Sequence, residues 1–517
     1  MDRRHFLRAG VVSTGAGVML PTAMFARPAS ARSTQGSATP GESPYGPLSA
    51  TPDENGLLLP AGFTSRVVAM AGEAVGATSY AWHLFPDGAA TFDDGNGGWY
   101  YVCNSELRNS MFPNAGGVSA IHFAADGSVI DAYRILDGSV ANCAGGPTPW
   151  GTWLSGEEYE SGRLWECDPT GEKPAVRRDA MGVWSHEAAA VDPVDEIVYI
   201  TQDDGKGLLY RFIPTSYPDL SAGVVEACII DANGAVSWGV VPDPSGVSAP
   251  TKTQVAGARV FAGGEGIWYH NDWIYFTTKL DHSVHAINLR AQKYHLIWKG
   301  DPSGLGVEGA VLSHVDNITV DSGSGDLYVA EDGGNMELCI ITPDGFVAPF
   351  VRVVGDGHGG SEMTGPVFNP TNERLYFSSQ RGPNKKTAAE ILPGIAGVAG
   401  GAFGGVTYEI TGPFRGVPPI TDAAPPETEA PITSPVDTLV GALPETEAPI
   451  ASPVDTLFGA APILTNLPVT GGAFTGVQPL ATLIVSMGMA VLYILRRRVA
   501  RGIDPTSIEN PMSDWRG

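Results

Sequence analysis

The chain has 517 residues, including 66 Gly and 41 Pro, and its formal net charge is −25. Such an acidic chain does not suit binding to nucleic acid or to an anionic membrane surface, because phosphates require Lys and Arg as partners. The abundance of Gly and Pro favours many turns over long helices. Five cysteines without C-x-x-C spacing predict neither a disulfide framework nor a zinc ribbon.

The N-terminus has the pattern of an export signal. Arg3 and Arg4 precede a weakly apolar stretch, which ends in an A-x-A site at residues 29–31. This pattern is typical of a twin-arginine signal peptide over residues 1–31, and it implies the twin-arginine translocase as a partner. Because that route carries folded proteins, it is compatible with a cofactor loaded before export.

Six short apolar and aromatic segments recur through the folded part of the chain, which we place at residues 45–415. Each segment centres on one bulky aromatic residue, and these pivots are Tyr101, Trp153, Tyr199, Tyr275, Tyr328 and Tyr376. Their spacings are 52, 46, 76, 53 and 48 residues, so we expect an insertion at residues 214–260 in the long gap. Short strands at this period are typical of propeller blades. We predict an all-β, six-bladed β-propeller, with a pair of two-sheet β-sandwiches as the alternative.

A titratable side chain lies ten to eighteen residues before every pivot. These residues are His83, Cys143, the pair His186 and Glu187, Glu265, Asp316 and Glu362. A second, acidic set follows the pivots: Glu106, Glu157, Glu158, Asp203, Asp204, Glu331 and Asp332. Equivalent positions of successive blades surround the central channel of a propeller, so we expect both sets to converge there.

Carboxylates that converge on one channel repel one another unless cations neutralise them. Hard cations with oxygen ligands, calcium first, suit such a set. The thiol of Cys143 indicates a softer metal as well, such as iron. We expect His186 to hydrogen-bond a ligand carboxylate. For any single acid, a solvated position in a turn is the alternative interpretation.

The C-terminal part of the chain is predicted to tether the protein to the cell surface. Residues 418–466 are rich in Pro, Thr, Glu and Ala and repeat the heptapeptide Pro-Glu-Thr-Glu-Ala-Pro-Ile, which indicates an extended stalk. Leu-Pro-Val-Thr-Gly at 467–471 resembles an LPxTG sorting signal, which implies a sortase; a plain membrane anchor is the alternative. Residues 473–495 carry no charge and are long enough to span a bilayer. The basic tail, 496–517, places that end in the cytoplasm.

The residues around the predicted channel carry a family resemblance. The most specific segment runs Asn-Cys-Ala-Gly-Gly-Pro-Thr-Pro-Trp-Gly-Thr-Trp over residues 142–153, with Glu157 and Glu158 behind it. Further segments are His-Glu-Ala-Ala-Ala-Val-Asp-Pro at 186–193, Glu-Gly at 265–266, Asp-Asn at 316–317, Glu-Asp at 331–332 and Ser-Glu-Met-Thr-Gly at 361–365. Together, from about Asp53 to Phe414, they resemble the PhoX family of bacterial alkaline phosphatases.

This resemblance implies a propeller that is exported, holds calcium and iron in its channel and hydrolyses small phosphate esters outside the cell. It implies that the catalytic residues Cys143, Glu187 and Glu265 hold Fe3+. It also implies Ca2+ ligands among Glu106, Glu157, Glu158, Asp316, Glu331, Asp332 and Glu362.

Two positions depart from the family pattern. Gly263 stands where the family usually carries an Arg that grips substrate phosphate, and Gln202 stands where a Glu is commoner. The loss of a guanidinium removes charge-assisted hydrogen bonds to the phosphate. Candidates to supply the missing charge are Lys279, Arg381 and Arg163.

Two other functions are compatible with the same residues. A calcium-bound propeller with another hydrolytic specificity, such as a lactonase, is permitted by the Gly at position 263. A non-catalytic surface module that binds a ligand or a partner is permitted by the stalk and anchor. Nucleophilic Ser/His/Asp catalysis is not favoured, because the sequence has no G-x-S-x-G elbow.

Overall fold

The part of the chain that the structure describes forms β-sheets arranged around a channel. The computed structural model describes residues 37–110, 112, 115–301, 311–383, 386–387 and 402–417. Within them the helical content is two 3₁₀ turns, at Asp179–Met181 and Thr251–Thr253. Six sheets of four to six strands contain all the described strands except one two-stranded ribbon. The predicted all-β, six-bladed propeller is confirmed, and the β-sandwich alternative is not adopted.

Each blade is formed by strands that follow one another in the chain. Three strands precede the first blade: β1 (Thr39–Pro40), β2 (Leu57–Leu58) and β3 (Thr64–Met70). Blade 1 contains β4 (Pro86–Asp93), β5 (Trp99–Ser105), β6 (Gly116–Phe123) and β7 (Val129–Ser139). Blade 2 contains β8 (Asn142–Pro147), β9 (Trp153–Glu157), β10 (Leu164–Cys167) and β11 (Val176–Arg177). Blade 3 contains β12 (His186–Asp192), β13 (Ile197–Gln202), β14 (Leu209–Ser216), β15 (Asp219–Ile230) and β16 (Val236–Val240).

The second half of the propeller repeats this order. Blade 4 contains β17 (Gly264–His270), β18 (Trp273–Thr278), β19 (Ser283–Asn288) and β20 (Lys293–Lys299). Blade 5 contains β21 (Val315–Val320), β22 (Leu327–Glu331), β23 (Glu337–Ile341) and β24 (Phe346–Val353), and its outer edge is covered by β1 and β2. Blade 6 begins with β25 (Met363–Phe368) and β26 (Arg374–Ser379). The ribbon β27 (Lys386–Thr387) and β28 (Ala402–Phe403) comes before its third strand, β29 (Val406–Thr411).

The first strand of every blade lines the channel. These six strands, β4, β8, β12, β17, β21 and β25, lie beside one another in that order, and β25 lies beside β4. The circle of blades is therefore closed. Any side chain that points inward from one of these strands meets those of its neighbours.

The predicted pivot residues all lie in the second strand of a blade. Their exposure is 5% or less: Tyr101, Trp153, Tyr199, Tyr275, Tyr328 and Tyr376. Tyr101 of blade 1 and Tyr376 of blade 6 pack with their ring centroids 5.0 Å apart. Burying such a ring between blades is worth about 2 kcal/mol relative to leaving it in water. The repeated aromatic residue in the sequence is thus the mark of blade-to-blade packing.

The long gap between the third and fourth pivots is only partly an insertion. The predicted insertion at 214–260 contains β15, which is the regular fourth strand of blade 3. That assignment was wrong because β14 and β15 form a continuous hairpin with Ser216 opposite Asp219. The additional material is β16, a fifth strand at the outer edge, together with the loop that follows it.

Strand β3 closes the propeller by completing blade 6. It pairs antiparallel with β29, which places Arg66 opposite Glu409. The buried carboxylate of Glu409 accepts hydrogen bonds from Arg66 at 2.9 and 2.7 Å, from Arg374 at 2.7 Å and from the hydroxyl of Tyr376 at 2.7 Å. One carboxylate therefore joins strands from the two ends of the described chain.

We predict that Glu409→Ala lowers the free energy of unfolding by about 2 to 3 kcal/mol, because it leaves two guanidinium groups and a buried hydroxyl without their acceptor. Chemical denaturation followed by tryptophan fluorescence measures this change. The matched control is Glu373→Ala, at an exposed acid near the start of β26, which should cost less than about 0.5 kcal/mol. Equal effects of the two substitutions would contradict the role of Glu409 in closure.

The predicted export and anchoring segments lie outside the described residues. They are the signal peptide at 1–31, the stalk at 418–466, the sorting motif at 467–471, the membrane segment at 473–495 and the tail at 496–517. These assignments stay predictions. Among the residues that the structure does describe, no helix has the length and apolar character needed to cross a membrane.

Candidate functional site

A β-bulge interrupts the channel-lining strand of every blade. In blades 1 to 5 the pairing register shifts across two residues: Asp87 and Gly88, Cys143 and Ala144, Glu187 and Ala188, Glu265 and Gly266, and Asp316 and Asn317. A bulge leaves a residue outside the ladder and re-aims its side chain. We call the first members of these pairs, Asp87, Cys143, Glu187, Glu265 and Asp316, the inner ring. Blade 6 differs, because its bulge falls at Gly365 and Pro366, and its acid, Glu362, precedes β25.

The second bulge residue is small where neighbouring blades approach closely. A Cβ on Gly88 would lie 2.5 Å from the Cα of Ala144 in blade 2. A Cβ on Gly266 would lie 2.7 Å from the backbone nitrogen of Ile318 in blade 5. Both distances are below any normal contact, so glycine at these positions lets the blades bring their inner-ring side chains together.

A further set of side chains lies at the ends of the second strands. Of two adjacent residues there, one hydrogen-bonds a loop and the other faces the channel. One residue braces the neighbouring loop by accepting hydrogen bonds from backbone N–H groups: Glu157 from Val140 and Arg163, Gln202 from Leu208, and Glu331 from Ser313 and Glu337. The next residue, Glu158, Asp203 or Asp332, is directed to the channel side, as expected from the alternation of side chains along a strand. The corresponding residue after β5 is Glu106 and after β18 is Lys279.

The two sets meet in a continuous arc. Among the described residues, four groups have ligand atoms that all lie within 4.8 Å of one another. They are Asp87, Glu106 and Cys143; Cys143, Glu158 and Glu187; Glu187, Glu265 and Asp316; and Asp316, Asp332 and Glu362. Successive groups share Cys143, Glu187 and Asp316, so we call the whole set the acid arc.

Part of the acid arc has no hydrogen-bond partner. Glu187 is 0% exposed, and among the described residues neither of its carboxylate oxygens is hydrogen-bonded. One carboxylate oxygen of the buried Asp87 likewise has no hydrogen-bond partner among the described residues. A buried ionised carboxylate without a partner costs several kcal/mol, and proteins pair such groups or use them to coordinate metals. The donor set of oxygens and one thiol therefore fits bound cations.

Burial and mutual repulsion disfavour the charged forms of these side chains. Burial, reinforced by the nearby carboxylates of Glu265 and Glu158, raises the pKa of Glu187 well above its ordinary value. Burial and the neighbouring Asp87 act in the same direction on the pKa of the Cys143 thiol. Burial also raises the pKa of Glu158 to about 8 and that of Asp316 to about 6.

Two half-exposed arginines lie against the ends of the acid arc. Arg108 is 2.8 Å from Glu106 and 2.5 Å from Glu158. Arg381 is 2.8 Å from Glu362 and 3.7 Å from Glu106. Their guanidinium groups are the fork-shaped donors that match phosphate oxygens.

Lys279 inserts between the acids of blades 4 and 5. Its ammonium lies 3.0 Å from Glu265, 3.3 Å from Asp332 and 3.5 Å from Asp316. Burial alone would lower the pKa of Lys279, but these carboxylates raise it well above its ordinary value. Lys279 is therefore a charged, three-fold ion-paired residue within the arc.

The structure brings together most of the predicted site residues. Those in the acid arc are Glu106, Cys143, Glu158, Glu187, Glu265, Asp316, Asp332 and Glu362. Glu157 and Glu331 stand apart, because they brace loops. Gln202, where the family more commonly has a Glu, occupies the same bracing position, so this departure removes no carboxylate from the arc.

Sequence reasoning missed Asp87 and chose His83 in its place. His83 is buried beneath blade 1, where its ring nitrogens contact the Ser119 hydroxyl at 2.8 Å and the Asn104 carbonyl at 2.9 Å. Asp87 precedes a glycine and follows a proline, a pattern that indicates a turn. Its distance of 14 residues from Tyr101 was the signal that could have identified it.

Two further expectations need correction. His186 contacts the carbonyl of Gly182 at 3.2 Å and stacks on Trp184, rather than bonding a ligand carboxylate. Arg163 pairs with Asp179 at 3.4 Å rather than with an acid of the arc.

The backbone conformation at position 263 favours glycine. Gly263 has φ of +66°, a conformation that side chains rarely adopt. A Cβ there would lie 2.9 Å from Leu280. Its carbonyl accepts a hydrogen bond from the backbone N–H of Lys279 at 2.7 Å. The position without an arginine thus lies directly beside the lysine of the arc.

The fold and the site define a class: a six-bladed propeller with a buried, acid-lined channel. Residues 93–305 match the model of the family described as alkaline phosphatase PhoX, and this segment contains Glu106, Cys143, Glu187 and Glu265. The match confirms the predicted resemblance to the PhoX alkaline phosphatase family over this segment and supports a phosphatase. No curated protein matches the sequence.

Solved structures agree with the fold. PhoX from Pseudomonas fluorescens, in complex with the transition-state analogue vanadate, is 17% identical with a TM-score of 0.55, and the match covers 73% of this chain and 97% of that one. At this identity the likeness shows the fold. A gluconolactonase from Xanthomonas campestris (13% identity, 72% of this chain and 99% of that one) and a calcium-binding regucalcin from Agrobacterium tumefaciens (13%, 68% and 97%) have TM-scores of 0.36 and 0.35, which are too low to carry an argument.

We predict that the metal-free protein loses stability as the pH rises from about 5 to about 8. An acid whose folded pKa is raised binds more protons in the folded than in the unfolded state, so its contribution is lost as pH rises through the folded value. For Asp316 and Glu158 those values are about 6 and about 8. Melting temperatures in the presence of a chelator measure the effect.

The Glu158→Gln variant should flatten this pH dependence, whereas Glu172→Gln, at an exposed position in blade 2, should leave it unchanged. A melting temperature that rises over the same interval would contradict the repulsion that we assign to the acid arc.

Proposed function

We propose that this chain is a metal-dependent phosphoric ester hydrolase that acts on small phosphorylated substrates. The observation that carries the proposal is the buried carboxylate of Glu187 at the centre of the acid arc, for which the described part of the chain offers no hydrogen-bond partner. Without bound cations, the burial of these carboxylates would destabilise the folded protein by several kcal/mol. The family match supplies the reaction class.

The ligand chemistry distinguishes two kinds of ion. Cys143, together with Glu187 and Glu265, offers a mixed thiolate and carboxylate set that suits Fe3+. The remaining ligands are all oxygens, which suit Ca2+: Asp87, Glu106, Glu158, Asp316, Asp332 and Glu362. We leave out Glu157 and Glu331, whose oxygens accept backbone N–H bonds.

Bound cations would clamp the phosphoryl oxygens, stabilise the charge of the transition state and lower the pKa of an attacking water. The chain itself contributes orientation and exclusion of solvent. Arg108 and Arg381 are half-exposed and paired with acids of the arc, and their forks would bind phosphoryl oxygens of a substrate that enters there. The inner ring is nine-tenths or more buried, so the reacting groups interact in a poorly hydrated space.

We predict that the full-length chain, loaded with Ca2+ and Fe3+, hydrolyses an aryl phosphate monoester and that Cys143→Ala lowers kcat/KM at least about 100-fold, because it removes a direct ligand. Initial rates with p-nitrophenyl phosphate measure this. Cys228→Ala is the matched control, since Cys228 is a buried thiol in the core of blade 3, away from the arc.

The outcomes separate the candidate functions. Loss of turnover in Cys143→Ala with retention in Cys228→Ala supports the hydrolase. A wild-type protein that binds cations and yet leaves monoesters intact would overturn the monoester assignment, and a substrate panel with diesters and lactones would then identify the reaction.

We further propose that the propeller acts outside the cell, exported by the twin-arginine route and held at the surface by its C-terminal end. The paired arginines at positions 3 and 4, the LPxTG-like motif and the uncharged segment at 473–495 support this proposal. An external hydrolase would act on phosphate esters that cannot themselves cross a membrane.

We predict that replacing Arg3 and Arg4 by Lys retains the protein in the cytoplasm of its native host, because the translocase recognises the arginine pair. Cell fractionation and immunoblotting measure the distribution. Replacing Arg27 and Arg32 by Lys serves as a charge-matched control that should not change export. Surface display of the Arg3 and Arg4 variant would overturn the assigned route.

A further inference from the structure

The position of Lys279 in the fold is occupied by an acid in four of the other five blades, and by Gln380 in blade 6. The channel-side residue after the second strand is Glu106 in blade 1, Glu158 in blade 2, Asp203 in blade 3 and Asp332 in blade 5. In blade 4 the corresponding residue is Lys279. The exchange removes one negative charge from the arc and adds one positive charge at the same place.

The ammonium lies where two ligand groups of the acid arc meet. One group contains Glu265 and Asp316, and the next contains Asp316 and Asp332. Lys279 contacts all three carboxylates at 3.0 to 3.5 Å. An ammonium carries a cation's charge on a covalent tether. Here it donates a hydrogen bond to Asp316 and is ion-paired with Glu265 and Asp332. Its side chain is 24% exposed, so these contacts are formed largely out of solvent.

The neutralisation of the arc is consequently uneven. The acids on the Lys279 side have a cation from the protein itself. One oxygen of Glu265 also has no hydrogen bond, but Glu265 is ion-paired with Lys279, whereas Glu187 has neither a hydrogen bond nor an ion pair among the described residues. The demand for external cations is therefore greatest at Glu187, because Glu106 and Glu158, the neighbours of Cys143, are already paired with Arg108.

We propose that Lys279 is a built-in cation that takes the place of one metal ion at the corner formed by Glu265, Asp316 and Asp332. This inference rests on the proposed metal dependence of the site. It assigns to this chain one bound cation fewer than its acid arc would otherwise hold. The ammonium neutralises the corner permanently, while the remaining cations are exchangeable.

The test is the number of cations bound by the full-length chain after removal of metals with a chelator and reloading with Ca2+ and Fe3+. Native mass spectrometry and elemental analysis give the ions per chain for the wild type, Lys279→Met and Lys252→Met. Lys252 is the matched control, because it is similarly exposed (26%) and pairs with a single acid, Asp204. We expect one additional ion in Lys279→Met and no change in Lys252→Met.

A folded Lys279→Met variant with the wild-type number of ions would overturn the inference while leaving the metal-dependent hydrolase intact. An absence of bound cations in all three proteins would overturn the metal dependence as well. Circular dichroism shows whether each variant is folded.

If Lys279→Met does not fold, a crystal structure of the metal-loaded wild type decides the question. We expect anomalous peaks beside Cys143 and Glu187, and the ammonium of Lys279 within about 4 Å of its three acids with no metal among them. A metal peak bound jointly by Glu265, Asp316 and Asp332, with Lys279 turned away, would overturn the inference.

Discussion

The mutual repulsion of buried carboxylates is the constraint on which the rest of this structure depends. Six blades converge on one channel, and the bulges of blades 1, 3, 4 and 5 direct acids into a space where water cannot screen them. The large aromatic cores between blades provide the opposing stabilisation. The fold thus holds together carboxylates that would otherwise move apart. Holding such ligands close together in advance favours strong binding of cations.

The architecture could be predicted from the sequence because every blade of a propeller must meet the same packing requirement. Each blade must bury one large ring against its neighbour, so the pivots Tyr101 to Tyr376 recur in the sequence and mark the second strands correctly. Outer strands have no such requirement. That is why β15 was taken for an insertion: an outer strand needs only a hairpin partner, and its composition varies freely.

The sequence predicted which strands contribute to the site, but not the direction of each side chain. Counting from the pivots located the acids at the ends of the strands. It did not show which of two adjacent acids faces the channel, because a shift of one residue reverses the direction of a side chain. Glu157 and Glu331 were therefore grouped with Glu158 and Asp332. Asp87 was missed for a related reason: a bulge places a turn-like Asp-Gly pair within a strand. Bulges are set by contacts between blades, which local sequence does not encode.

Closure by β3 also governs the order in which the site is completed. The hydrogen bond from Gln380 to Asp87 spans 293 residues, and the pairing of Arg66 with Glu409 spans 343. Contacts of such high contact order form late, because the loop entropy must be overcome before they are established. Asp87, the first member of the acid arc, is therefore held in place only once the last blade has left the ribosome. A nascent chain therefore holds the arc open until its last blade has formed.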